Sequence, residues 1–231
     1  MNTHHTRLRS ILTGLMLSIL TAQDPFVIDT SLSSSLPQSI ANSIEIADVD
    51  NDGYNDIIMS GYDSTRFGLF IDVIKVNSQG ALTSGFSTNF ITYPDTIAEF
   101  SGGLGNLDLS DVNLDGSIDI YLNGSARSEL LMNSSSGYFS ESNWLQNMFV
   151  IHSNGKWGDV NMDGKPDLFL MGVKQPADNI LNELYLNTGT YLDEDPTTIF
   201  PALFTGSSAW GDYDNDGDPD LIIGGQTANP N

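Results

Sequence analysis

A nine-residue acidic pattern that occurs four times constrains this chain more than any other feature of its sequence. The pattern is D-x-[DN]-x-D-G-x-x-D, and it occupies residues 48–56, 111–119, 159–167 and 212–220. One such match could arise by chance, but four matches in a chain of 231 residues indicate a repeated structural unit. We therefore expect a repeat fold in which each unit is stabilised by its neighbours.

The residues around each pattern predict two buried strands joined by an acidic loop. A short apolar or aromatic approach precedes every copy, as at residues 44–47 and 157–158. An apolar run rich in branched residues follows every copy and reaches a glycine; these glycines are Gly61, Gly124, Gly172 and Gly225. Short apolar runs bounded by turn residues are typical of strands that are buried on both faces.

A second hairpin signal follows each of the first three patterns. Residues 71–82, 129–139 and 183–192 each read as a strand, a turn containing Asn, Ser, Thr or Gly, and another strand. Each unit then holds four short strands joined as a meander, which is the blade of a β-propeller. The predicted fold class is all-β, with four-stranded antiparallel blades and an acidic loop between strands 1 and 2 of each blade.

The composition of the loops predicts calcium binding. Side chains at positions 1, 3 and 5 can converge on one point, and a ligand set of oxygens alone selects a hard cation such as Ca²⁺. Glycine at position 6 allows a sharp turn with positive φ, the carbonyl of position 7 can point inward, and the Asp at position 9 can close the site. We expect up to four Ca²⁺ ions, one per motif. The predicted ligands are Asp48, Asp50, Asp52, Tyr54 and Asp56; Asp111, Asn113, Asp115, Ser117 and Asp119; Asp159, Asn161, Asp163, Lys165 and Asp167; and Asp212, Asp214, Asp216, Asp218 and Asp220.

An EF-hand is the main rival interpretation, because its loop also opens with D-x-D-x-D-G. That loop requires a bidentate Glu at position 12. Position 12 is instead occupied by apolar residues of the following strand, which are Met59, Leu122, Leu170 and Ile223. No helical periodicity flanks the loops, so the sequence excludes the EF-hand.

The units resemble the FG-GAP/VCBS repeats of integrin α-chain propellers and of many bacterial secreted proteins. Tryptophan–glycine pairs at 157–158 and 210–211 stand where that family has Phe-Gly, and the resemblance covers residues 24–231. It implies a calcium loop between strands 1 and 2 of each blade, with a structural role for the metal. The copy at 111–119 departs from the family because it lacks the aromatic–glycine lead-in and has Ile118 at position 8.

The number of repeats predicts an incomplete propeller. The resemblance implies about seven blades in a full ring, whereas this sequence contains three units and the first half of a fourth. We therefore expect about three and a half blades, as in a fragment. A four-bladed ring closed by residues 26–29 is the alternative, although it lacks a strand.

The N-terminus and the charge balance predict an exported, acidic protein. Arg7 and Arg9 precede an apolar run at 11–20, which is the pattern of a secretory signal peptide covering residues 1–23. The chain has 30 acidic and 8 basic residues and a net charge of −22, so we expect no nucleic-acid partner. The mature chain has no other apolar run long enough for membrane insertion, and it has no cysteine.

These features predict a secreted or cell-surface calcium-binding scaffold that binds an extracellular protein or glycan in adhesion. They do not predict an enzyme, because His4 and His5 lie in the leader and only His152 remains. The alternative is an ancillary propeller of a glycosidase or polysaccharide lyase whose catalytic part is missing from this chain. Trp157 and Trp210 are expected to pack between blades, and Trp144 is the better candidate for a sugar platform.

Overall fold

The structure is a computed structural model that describes residues 40–63, 68–92, 106–124, 127–145, 150–174 and 179–227. The predicted leader at 1–23 and the segment 26–29 lie outside the described residues. The described residues form fourteen strands: β1 (Ile40–Ala47), β2 (Asp56–Asp63), β3 (Gly68–Val76), β4 (Leu82–Thr92), β5 (Asn106–Ser110), β6 (Asp119–Gly124), β7 (Arg127–Asn133), β8 (Phe139–Glu141), β9 (Val150–Gly158), β10 (Asp167–Lys174), β11 (Asn179–Asn187), β12 (Leu192–Glu194), β13 (Leu203–Gly211) and β14 (Asp220–Thr227). Within this part of the chain, no helix is long and apolar enough to cross a membrane.

The strands form meander sheets, one per repeat, as the sequence predicts. The strand orders are β1-β2-β3-β4, β5-β6-β7-β8 and β9-β10-β11-β12, followed by the two-stranded sheet β13-β14. All of these neighbours pair antiparallel. The described residues therefore form three complete blades and half of a fourth, a partial propeller-like fold.

The hydrophobic core lies between the blades, because the second strand of each blade is apolar on both faces. In β6, Ile120 and Leu122 pack against Ile58 of the first blade. Tyr121, which lies between them in sequence, packs against Leu168 of the third blade. Since each buried aliphatic side chain stabilises the fold by about 1.5–3 kcal/mol, packing against its neighbours stabilises each blade substantially.

The final two-stranded sheet shows the same alternation with only one face covered. Leu221 and Ile223 pack against Phe169 and Met171 of the third blade. Ile222 points to the opposite face and is 62% exposed. The sequence of β14 is therefore suited to burial on both faces, although one face is exposed among the described residues.

The glycines after each motif were expected to end the second strand, and this prediction was wrong in three of the four repeats. β2, β10 and β14 continue past their glycines, and only β6 ends at one. The pairing of the first and second strands has a register shift near that point in the same three repeats. At the last of these shifts, a Cβ on Gly206 would lie 1.9 Å from the carbonyl oxygen of Gly224. Glycine therefore marks a β-bulge, where two backbones approach closely, rather than the strand end.

Side chains also connect the first strands of neighbouring blades. Asp108 of β5 accepts a hydrogen bond from the backbone N–H of Trp157 in β9 at 2.8 Å. Asn154 of β9 accepts one from the backbone N–H of Ser208 in β13 at 3.0 Å. These contacts satisfy backbone groups on the edge that the first strand of each sheet forms, which would otherwise be left unpaired.

The tryptophan–glycine pairs form part of the blade interface, which confirms the packing role expected of both tryptophans. Trp210 donates from Nε1 to the carbonyl oxygen of Lys156 at 3.1 Å. A Cβ on Gly158 would lie 2.7 Å from the Trp210 ring, so glycine provides the space for that ring. Trp157 packs edge-on against Tyr121 with ring centroids 5.8 Å apart. Trp144 also packs against the core and is half-buried, and its role as a sugar platform stays a prediction.

Candidate metal-binding loops

Each motif forms the connection between the first and second strands of its sheet, as predicted. The first loop leaves β1 at Ala47 and enters β2 at Asp56. The other three loops join β5 to β6, β9 to β10 and β13 to β14 in the same way. The Asp at position 9 is therefore the first residue of the second strand, and the other eight positions form the loop.

Two positions in each loop have left-handed backbone conformation. Position 6 was predicted to have positive φ, and Gly53, Gly116, Gly164 and Gly217 have φ values of 87°, 86°, 86° and 97°. Position 4 was not predicted, yet Asn51, Leu114, Met162 and Asn215 have φ values of 57°, 59°, 56° and 61°. Asn tolerates the left-handed region, whereas Leu and Met adopt it at a cost in conformational free energy. The first and fourth loops are thus better suited to the turn than the second and third.

The carboxylate at position 1 holds the loop closed in every repeat. In the first loop, Asp48 Oδ1 accepts a hydrogen bond from the N–H of Asp52 at 3.0 Å, and Asp48 Oδ2 accepts one from Gly53 at 2.8 Å. Asp111, Asp159 and Asp212 make the same pair of contacts with positions 5 and 6 of their loops. Each oxygen retains a second lone pair, so these bonds leave it able to bind a cation.

Positions 3 and 5 orient further oxygens within the loop. At position 5, Asp52 Oδ1 accepts a hydrogen bond from the N–H of position 7, and the equivalent bond occurs in all four loops. At position 3, Asn113, Asn161 and Asp214 accept from the N–H of position 5. The Asn residues therefore supply an oxygen at the same place as Asp, without the charge.

In the first three loops, the Asp at position 9 is buried and connects the loop to two parts of the blade. Asp119 Oδ2 accepts from the N–H of Val112, and Asp119 Oδ1 accepts from the N–H of Asn133 at the end of β7. Asp56 and Asp167 make the equivalent pairs of bonds. Burial raises the pKa of Asp119 to about 6 and raises the pKa of Asp56 and Asp167 above the ordinary value. The sequence predicted this residue as a ligand but not its contact with the third strand.

An asparagine at the end of the third strand connects consecutive loops, and sequence reasoning missed it. Asn133 Nδ2 donates to the carbonyl oxygen of Val49 in the preceding loop at 2.7 Å and to that of Ile118 in its own loop at 3.0 Å. Asn187 makes the equivalent bonds, 2.8 Å and 3.1 Å long, to the loops of the second and third repeats. The sequence signal is the shared ending of E-L-L-M-N and E-L-Y-L-N, which on its own indicates only the start of a turn.

The geometry of the first and fourth loops fits a cation. Carboxylate oxygens of Asp48, Asp50 and Asp56 all lie within 4.8 Å of one another. The same distance relates carboxylate oxygens of three of the five aspartates in the fourth motif, which are Asp212, Asp214 and Asp216. Asp50 Oδ1 is buried and has no hydrogen-bond partner among the described residues. A buried carboxylate oxygen without a donor is costly, and a metal ion would satisfy it.

A comparison with protein families identifies the repeat. The sequence model of the FG-GAP-like repeat matches residues 111–170 and 159–223. Each match begins at one acidic loop and extends through the next loop into the following second strand. The first loop lies outside both matches, yet it makes the same backbone contacts as the others. No curated protein matches the sequence.

Proposed function

Because this chain is an FG-GAP repeat protein with the blades of a propeller-type scaffold, we propose that each of its four acidic loops binds one Ca²⁺ ion. The observation that carries the proposal is the convergence of oxygens at positions 1, 3 and 9 of the first loop and at positions 1, 3 and 5 of the fourth. Ligation by oxygen alone favours a hard cation, and calcium tolerates irregular loops better than magnesium does.

Electrostatics explains why the loops need a cation. Two carboxylates about 4 Å apart repel each other by about 1 kcal/mol even in water, and more strongly when partly buried. The fourth loop has an aspartate at five of its nine positions. Calcium at one hundred times its dissociation constant would stabilise the folded chain by about 2.7 kcal/mol per site. We therefore assign the ions a structural role, in which they fix the turn between the first two strands of each blade.

We further propose that this scaffold acts outside the cell and binds an extracellular protein or glycan. The apolar run at 11–20 supports export, and calcium is abundant outside cells. In a meander sheet, the 1–2 and 3–4 connections lie at the same end of the blade, and that end carries exposed tyrosines. Tyr138, Tyr191 and Tyr213 are 73%, 50% and 80% exposed. Tyrosine has an apolar ring and a polar tip, and it is enriched at binding surfaces.

Thermal unfolding in calcium and in a chelator tests the metal proposal. We expect millimolar Ca²⁺ to raise the unfolding temperature of the intact chain, and Asp216→Asn to reduce that increase. Asp193→Asn is the matched control, because Asp193 is an exposed residue of β12 outside every loop. An identical transition with calcium and with chelator would contradict the proposal.

A further inference from the structure

Lys75 contacts the first loop in a way that the corresponding residues of the other blades cannot. Its Nζ lies 2.9 Å from Asp50 Oδ2, at position 3 of the loop. The same Nζ donates to the carbonyl oxygen of Ser136, in the β7–β8 turn of the second blade, at 3.2 Å. Lys75 therefore bridges an acidic loop and the neighbouring blade.

The second blade provides a close-fitting wall for this ammonium group. A Cβ on Gly137 would lie 3.0 Å from Lys75 Nζ and 3.4 Å from the Cβ of Asp50. Gly137 also has a φ of 71°, a conformation that favours glycine. The side chains of Lys75 and Asp50 are only 26% and 16% exposed. The ion pair is thus confined between two blades, unlike a pair that is free to move in solvent.

In the parts of the other repeats that the structure describes, this arrangement does not occur. Lys75 directly precedes Val76, whose N–H contacts Asp56 at position 9. The residues that directly precede the corresponding contacts in the second and third blades are Met132 and Leu186. In the third loop, Lys165 pairs with Asp163 from within the loop itself. Among the described residues, no lysine or arginine forms an ion pair with the fourth loop.

We propose that Lys75 is a built-in counter-ion of the first loop and that it lowers the calcium affinity of this site relative to the fourth loop. The inference rests on the proposed function, since Asp50 is one of the predicted ligands. Without calcium, the ammonium neutralises part of the charge of Asp48, Asp50 and Asp56. When calcium enters, it must share Asp50 with a second cation, and the two cations repel each other. The first loop should therefore depend less on calcium for its shape than the fourth loop does.

Amide NMR of the intact chain, labelled with ¹⁵N at glycine, resolves the four sites in one experiment. The N–H groups of Gly53, Gly116, Gly164 and Gly217 each donate to the position 1 carboxylate of their own loop. A Ca²⁺ titration then gives one midpoint per loop, and Gly217 serves as an internal reference for Gly53. We expect the wild-type Gly53 midpoint to require more calcium than the Gly217 midpoint.

Lys75→Met introduces the residue type that the second blade has at this point, where Met132 lies. The substitution should lower the calcium concentration at the Gly53 midpoint about tenfold and leave the Gly217 midpoint unchanged. Lys75→Arg keeps the charge and should retain the wild-type midpoint. In parallel, Lys75→Met should increase the calcium-induced rise in unfolding temperature, an effect that simple loss of packing would not produce. If both glycines respond to calcium but Lys75→Met leaves the Gly53 midpoint unchanged, the inference is wrong and calcium binding stands. If no loop glycine responds in the wild type, calcium binding itself is wrong.

Discussion

At the scale of single residues, the acidic loops differ in how well position 4 suits their backbone. Leu114 and Met162 have left-handed φ values, and both are exposed, so burial does not offset the strain. Asn occupies the same position in the first and fourth loops. The motif therefore specifies positions 1, 3, 5, 6 and 9, while position 4 varies at a cost in stability.

Met162→Asn should stabilise the protein by about 1 kcal/mol, because Asn adopts the left-handed region more readily than Met. Met162 is 63% exposed, so little burial is lost. The midpoint of denaturant unfolding, measured in chelator, reports the change. The reverse substitution Asn215→Met in the fourth loop should destabilise by a similar amount. A loss of stability in Met162→Asn would show that φ at this position does not limit the loop.

The buried Asp119 should make the calcium-free protein sensitive to pH. Its pKa is raised to about 6 by burial, against 3.8 for the exposed group. The folded state therefore binds the proton more tightly than the unfolded state does. Proton binding by Asp119 therefore contributes up to about 3 kcal/mol to the free energy of unfolding. This contribution is fully present below about pH 4 and is lost as the pH rises through 6.

The stability difference between wild type and Asp119→Asn isolates this contribution, because Asn does not titrate. In chelator, wild type should lose stability relative to the variant between pH 4 and pH 7. Saturating calcium should reverse the trend, since the ion binds the carboxylate and not the protonated acid. A difference that is independent of pH in chelator would contradict the assignment.

At the scale of strands and blades, the interface depends on specific side-chain contacts as well as on apolar packing. The sequence predicted the strands from their apolar runs and turns, and the described sheets follow that order. It did not predict the contacts of Asn133 and Asn187, because a polar residue at a strand end reads as part of a turn. A period-2 pattern also cannot show that Gly206 faces the backbone of Gly224 at a bulge.

Asn133→Val should destabilise the protein by about 2–3 kcal/mol. The substitution removes the donor from the buried carbonyl oxygen of Val49 and from the partly buried carbonyl oxygen of Ile118. A buried polar group without a partner costs about 1–3 kcal/mol. Val is the residue at the equivalent point of the first blade. Urea unfolding measures the loss, and Asn179→Val is the control, since Asn179 is exposed at the start of β11. Equal effects of the two substitutions would rule out the contact between loops.

Gly158→Ala and Gly211→Ala provide a matched test of the tryptophan–glycine pair. Each glycine directly precedes position 1 of its loop. A Cβ on Gly158 would collide with Trp210, whereas a Cβ on Gly211 would have no atom within 4 Å. We expect a loss of about 1–3 kcal/mol for Gly158→Ala and little change for Gly211→Ala. Thermal unfolding measures the loss of stability in each variant. Similar losses in the two variants would mean that the Trp210 ring is free to move aside.

At the scale of the whole molecule, repetition made the fold predictable. The four motifs indicated the blades, and neighbouring blades cover apolar faces that a single blade would expose. The strand spacing could not show how the first strands connect from blade to blade through Asp108 and Asn154. It also could not reveal Lys75, because its partners Asp50 and Ser136 are distant in sequence and come together only when the blades pack.

Anomalous scattering from crystals grown in millimolar Ca²⁺ tests most directly whether the four loops bind calcium. We predict one anomalous peak in each loop, at about 2.3–2.6 Å from the oxygens of positions 1, 3 and 5. Crystals grown in chelator should lose all four peaks. Calcium-containing crystals with no anomalous peak in any of the four loops would contradict the account.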